Sequence, residues 1–199
     1  RQIRRLVSVV GERMVYELRG NSCLTLENIV DKKSITVSRS FGNMIKDKYN
    51  LKQALANHVA RAAEKLRSQD SLCGEICVFI NTNRFRKKDL QYNNSVILPF
   101  DDLTDNTNII MKKAFKVLDR LYRPNYNYKK IGVILLDLKQ RKKDVKNNDY
   151  VIQDNLFTYH KNYKNIADES DICMKMLDDI NTKMGKMTLF YGSQGIVKH

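Results

Sequence analysis

The sequence predicts an α+β fold in which one four-stranded sheet carries two helices on one face and leaves the other face open. Two observations lead there. Between residues 33 and 138, strand-like and helix-like stretches follow one another as β-α-β-β-α-β, the order of a ferredoxin-like split βαβ arrangement. The first strand also alternates apolar residues with short hydroxyls, so one of its faces is not core. A helix precedes this body, and a linker and a small α/β tail follow it.

Taken in order, residues 1–19 place Ile3, Leu6, Val7, Val10, Met14, Val15 and Leu18 at helical spacing, and Gly20 is suited to end the helix in a left-handed turn. Ser34 to Gly42 reads as a strand, with Ile35 and Val37 alternating with Ser34, Thr36, Ser38 and Ser40. Hydroxyls and arginine donate hydrogen bonds to a phosphate backbone without demanding a particular base, which makes Thr36, Ser38, Arg39 and Ser40 candidate contacts. Strict alternation puts Arg39 on the side of Val37 and Phe41, so it reaches the open face only if the strand ends or bulges there. Asn50, with Gln53 three residues on, is expected to cap a helix whose stripe is Leu51, Leu55, Val59, Ala62 and Leu66. Lys52, Arg61, Lys65 and Arg67 lie off that stripe, and His58 borders it as a partly packed histidine.

Glu75 to Thr82 and Asn94 to Phe100 make two more strands, separated by the basic loop Arg84-Phe85-Arg86-Lys87-Lys88. Thr107 is expected to cap the next helix, with Ile110, Ala114, Val117, Leu118 and Leu121 as its stripe and Pro124 just past its end. Ile131 to Leu138 is apolar on both sides and is expected to be central. Lys129 and Lys130 immediately before it extend the set of basic candidates. Lys139 to Asp149 is a charged, Asn-rich linker. Ser170 is expected to cap a short helix bearing Ile172, Met176 and Ile180, ended by Gly185, with Met187 to Tyr191 as a last short strand.

A chain of 199 residues suffices for one sizeable core, and its start at Arg1 and finish at His199 suggest a piece of a longer protein. The net charge is +14, and its distribution is more telling than its sum. Residues 1–150 carry 30 Lys and Arg against 16 Asp and Glu, while residues 151–199 carry six of each. A polyanion is therefore expected to meet the first part and something else the second. Cys23, Cys73, Cys77 and Cys173 have neither a disulfide-framework nor a zinc spacing and read as reduced cytoplasmic thiols, mostly in the core. The longest strongly apolar runs, such as residues 131–136, are far below a membrane span, and no signal peptide opens the chain.

No phosphate-cradling glycine loop, metal spacing or nucleophile-base pair stands out. Asp101-Asp102 and Asp178-Asp179 read as capping or solvated charges beside helices. No catalytic residue is assigned, and no cofactor is expected in this chain. An RNA-recognition module shares the element order, but the third strand lacks its basic-glycine-aromatic pattern. A stand-alone nucleic-acid-binding module of that kind is the alternative reading.

Ser38-Arg39-Ser40-Phe41-Gly42, followed by Ala60-Arg61-Ala62-Ala63-Glu64-Lys65-Leu66-Arg67, resembles the little-finger domain of Y-family translesion DNA polymerases. The likeness runs through nearly the whole chain and is to the UmuC type, the catalytic subunit of DNA polymerase V. It implies four parts. Residues 1–32 end a thumb and lead out of it, and residues 33–138 form the DNA-binding little finger. Residues 139–167 are a linker with a clamp-binding motif, and residues 168–199 are the carboxy-terminal region. The resemblance implies a cytoplasmic, error-prone DNA polymerase of the SOS response that copies past lesions. Its partners would be primer-template DNA, a UmuD-type subunit, a recombinase filament and a sliding clamp, with no membrane. Its catalytic carboxylates and Mg2+ would lie in a palm preceding Arg1. Gln153-Asp154-Asn155-Leu156-Phe157 resembles the bacterial sliding-clamp-binding pentapeptide, commonly Gln-Leu-x-Leu-Phe, which points to Gln153, Leu156 and Phe157 as clamp contacts. Asp154 departs from the usual leucine. The DNA contacts would be Thr36, Ser38, Arg39, Ser40, Arg84, Arg86, Lys87, Lys88, Lys129 and Lys130, gripping without sequence preference.

Overall fold

The structure, a computed structural model, describes residues 2–23, 32–141 and 164–195. Residues 1–31 and 32–199 form two compact units. The first holds α1 (Gln2–Leu18), which is broken at Ser8 by a left-handed φ of 68°. Nothing in the sequence signals that break. The helix ends as expected, with Gly20 at φ 85°. The amide of Gly20 donates to Glu17 O, and that of Asn21 donates to Tyr16 O, the Schellman closure that a glycine permits.

The second unit orders β1 (Ile35–Ile45), α2 (Lys48–Ser68), β2 (Ser71–Thr82), β3 (Asn93–Thr104), α3 (Thr107–Leu121), β4 (Tyr128–Gln140) and α4 (Lys164–Met184), then a 3-10 turn at Gly192–Gln194. The sheet is antiparallel throughout, in the order β1-β4-β2-β3. The two β-α-β units interlock, since β4 lies between β1 and β2 while β2 lies between β3 and β4. The strand predicted to be central is so placed.

Alternation decides what each strand buries. Ile35, Ile76, Val78, Ile80, Ile131, Val133 and Leu135 form one core with Leu51, Leu55, Val59, Ala62 and Leu66 of α2 and Ile110, Ala114, Val117, Leu118 and Leu121 of α3. Both predicted stripes are thus the buried ones. Strand ends run further than the sequence suggests, because ladder pairing continues past the apolar residues. The caps also shift. The Asp47 carboxylate, not Asn50, caps α2 and accepts from Asn50 N at 3.0 Å. Asn106, not Thr107, caps α3. The Thr107 hydroxyl instead accepts from Arg67.

The tail departs most from expectation. Helix α4 begins before Ser170, and residues 187–191 form no strand. Residues 139–140 close β4 and residues 164–167 open α4, so both ends of the stretch predicted as linker lie in regular elements. The tail is fastened to the helical layer by polar contacts. The Arg67 guanidinium donates to both Asp178 oxygens at 2.5 and 2.8 Å, and to Asp105 O and Thr107 Oγ1 at 2.9 Å. Asp178 is therefore a structural ion-pair partner rather than a cap. Arg141 pairs with Asp105 at 2.7 Å and with Asp171 at 3.1 Å. Buried Gln194 exchanges hydrogen bonds with Asn57 of α2. Gly195, at φ 77°, leaves no room for a side chain beside Gln53.

Candidate nucleic-acid interface

The face of the sheet away from the helices can be read from the register as four rows. Ser40, Lys130, Asn81 and Asn93 form one row, and Ser38, Gly132, Phe79 and Ser95 the next. Thr36, Ile134, Cys77 and Ile97 follow, then Leu136, Glu75 and Pro99. The open face is polar and basic at the end where β1 and β2 finish and β3 and β4 begin. Away from that end it becomes more apolar, with Ile134, Cys77, Ile97, Leu136 and Pro99 beside Thr36 and Glu75. The alternation of Cys77 with Phe79 and of Ile97 with Pro99 carried that signal.

Gly132 is the low point of this surface. A Cβ there would meet the Phe79 ring at 2.3 Å and Ser38 Cβ at 2.5 Å. The Phe79 ring thus lies across β4 toward Ser38, with Lys130 Nζ 5.7 Å from its centroid. Thr36, Ser38, Ser40 and Lys130 all face outward on this side. Arg39 does not. It pairs with core residue Ile131, and the ladder breaks only between Ser40 and Ile45. Its charge acts on His58 of α2, on the helical side. The bulge that would have turned Arg39 outward comes after it.

Lys129 is also committed elsewhere. Its ammonium donates to the carbonyls of Phe41 and Gly42, the latter at 3.2 Å, and so closes the irregular end of β1.

The basic loop joins β2 to β3 at the polar end of the open face. It is built by one side chain the sequence reading did not single out. The Gln91 amide nitrogen donates to the carbonyls of Asn83, Arg86 and Asp89 at 3.3, 2.8 and 3.0 Å. Its oxygen accepts from Thr82 Oγ1 at 3.0 Å. Asn83 Oδ1 accepts from Phe85 N at 3.1 Å. Backbone carbonyls that would otherwise need water are satisfied inside the loop, so Arg84, Lys87 and Lys88 are displayed on a preformed frame. Arg86 is 3.8 Å from Asp89, which weakens its claim on a phosphate.

Four tyrosines back this end. Tyr92 and Tyr126 ring centroids are 5.1 Å apart, and both rings approach Tyr128, as does Tyr122. Tyr128 is fully buried. Its hydroxyl accepts from Arg123 N and donates to Arg123 O, at 2.9 and 2.8 Å. Burial pushes the phenol up from its ordinary value, so it stays neutral and keeps donating. Tyr92 OH donates to Leu121 O, tying the loop to α3.

The predicted clamp residues Gln153, Leu156 and Phe157 lie outside the described residues. The cysteines are free, with Cys73 and Cys77 buried, Cys173 exposed and Cys23 between, and of these Cys73 belongs to the core between sheet and helices. Burial is the main cause that pushes the Cys73 thiol up to about 12, which leaves it a thiol donating to Thr104 O at 3.1 Å. Among the described residues, no group of three or more His, Cys, Asp or Glu is placed to hold a metal. No described helix is long and apolar enough to cross a membrane.

Comparison with known proteins gives this geometry a setting. Residues 32–149 match the impB/mucB/samB family C-terminal domain. The chain is similar to the protein UmuC of Salmonella typhimurium strain LT2, 36% identical over 195 residues, which is 98% of this chain and 43% of that protein. It is equally similar to the protein MucB of Salmonella typhimurium, 36% identical over 197 residues, 98% of this chain and 44% of that one. The chain thus spans less than half the length of these curated relatives. Among solved structures, the insertion ternary complex of Dbh DNA polymerase aligns with a TM-score of 0.45 and 14% identity, over 70% of this chain and 38% of that one.

Proposed function

The chain belongs to the impB/mucB/samB family, and on that premise we propose that it is the DNA-gripping, clamp-tethering part of an error-prone translesion DNA polymerase of the SOS response. The observation that carries the reading is the convergence at one end of the open face. Ser38, Ser40 and Lys130 share that end with a preformed loop bearing Arg84, Lys87 and Lys88. Hydroxyls and cations hold sugar-phosphate backbone and outnumber the amides of Asn81 and Asn93 at this end, which supports a grip indifferent to sequence. Nucleotide transfer and its magnesium ions are assigned in this proposal to a part of the parent protein outside this chain, which covers 43% of the relative UmuC. A sliding clamp, a UmuD-type subunit and a recombinase filament are the proposed protein partners. Pentapeptide 153–157 is the proposed clamp contact.

The test is binding of the 199-residue chain to labelled duplexes across a salt series. With about four to six phosphates neutralised, log K falls against log[salt] with a slope of about −4 to −5. The triple change Arg84→Glu, Lys87→Glu and Lys88→Glu makes that slope shallower and weakens all sequences alike. An affinity insensitive to salt, or confined to one sequence, would overturn the reading.

A further inference from the structure

Phe85 is the most exposed aromatic among the described residues, at 80%. It sits in the middle of the Arg84-Phe85-Arg86-Lys87-Lys88 loop. A lone exposed apolar side chain needs no explanation by itself. This one has two features that ask for one. Its backbone is fixed, since Asn83 Oδ1 accepts from its amide and the Gln91 amide closes the loop around it. One side of the ring is already attended, with the Arg84 guanidinium carbon 5.1 Å from its centroid. A hydrophobic ring held away from the core among four cations is poorly placed for an apolar protein surface, which would have to strip water from those charges. It is well placed for a flat, π-faced group linked to phosphates.

In an intact duplex the base faces are already stacked on one another. An unpaired base keeps a free face on which a side chain can stack. We propose that Phe85 is a stacking platform for an unpaired nucleobase of single-stranded DNA, with Arg84, Lys87 and Lys88 holding the flanking phosphates. The loop would then favour a junction, where template runs out of the duplex, over duplex alone. This rests on the DNA-gripping reading above and extends it by distinguishing strand state.

The experiment compares the full chain and Phe85→Ala on three labelled substrates of one duplex sequence. One is blunt, one carries a short template overhang, and one carries the same overhang with abasic sites, which keep the phosphates and lose the bases. The unsubstituted chain binds the base-bearing overhang most tightly. Phe85→Ala loses about tenfold on that substrate alone, with melting temperature and salt slope unchanged. Phe85→Tyr retains the preference. The chain has no Trp, so Phe85→Trp places a single indole at the site, and its emission is quenched by the base-bearing overhang but not by the abasic one. An equal loss for Phe85→Ala on all three substrates, or no loss on the overhang, overturns the platform while leaving the grip intact. Failure of the unsubstituted chain to bind any of the three overturns the grip, and the platform with it.

Discussion

His58 shows how one buried residue sets a stability limit. Its imidazole is 7% exposed, and both ring nitrogens lack a hydrogen-bond partner among the described residues. Burial is the main cause that pulls its pKa down to about 4, with Arg61 and Arg39 adding repulsion. The folded protein therefore holds the neutral ring, while the unfolded chain takes up a proton near pH 6.5. The unfolded state binds the proton first, so this residue lowers stability as pH falls from about 6.5 toward 4, by up to about 3 kcal/mol. His58→Leu is expected to flatten that stretch of a urea-midpoint-against-pH curve and to leave the region above pH 7 little changed. A variant curve parallel to the original would exclude His58 as the titrating group. The sequence placed His58 at the border of the α2 stripe. It carried no sign that Arg39 would face it, because that depends on where β1 breaks.

At the scale of elements, Arg67 is the joint. It belongs to the last turn of α2, yet its four hydrogen bonds reach the start of α3 and Asp178 of α4. Arg67→Ala leaves Asp178 and the Asp105 carbonyl without these donors. We expect a loss of about 1–3 kcal/mol, with proteolytic cleavage appearing first within residues 164–195. Arg67→Lys recovers only part of the loss, because an ammonium cannot match two carboxylate oxygens and two further acceptors with one rigid fork. Such a role is hidden in sequence. An arginine off the apolar stripe of a helix looks like any solvated charge, and its acceptors lie 38 or more positions away. Gln91 was hidden for the same reason, since a polar residue in a polar loop gives no periodic signal. Both helix stripes and the four strands were legible because burial imposes periods of 3.6 and 2 on the residues themselves. Caps were misplaced by one and three positions. Asp47, Asn50, Asn106 and Thr107 are all good caps on paper, and only the entry path of the chain selects among them.

Across the whole molecule, the excess positive charge precedes residue 151, and so does every side chain placed at the polar end of the open face. The clamp proposal therefore predicts separable functions. Leu156→Ala with Phe157→Ala should abolish clamp binding in a pull-down or anisotropy assay while duplex affinity and melting temperature stay as they were. Burying those two side chains contributes about 3–6 kcal/mol before ordering costs, so the peptide alone binds at micromolar concentrations or weaker. A large fall in melting temperature would instead place both residues in a core. The outer strands carry a different consequence. On one side of the sheet β1 loses its regular ladder after Ser40, where Lys129 takes up two carbonyls. On the other, β3 carries Pro99, which has no N–H to offer, followed by Asp101 and Asp102. An irregular end on β1, and a proline followed by two aspartates on β3, are features that make a sheet margin a poorer template for another chain. Copies of this domain brought close together would find these margins poor partners for a common sheet.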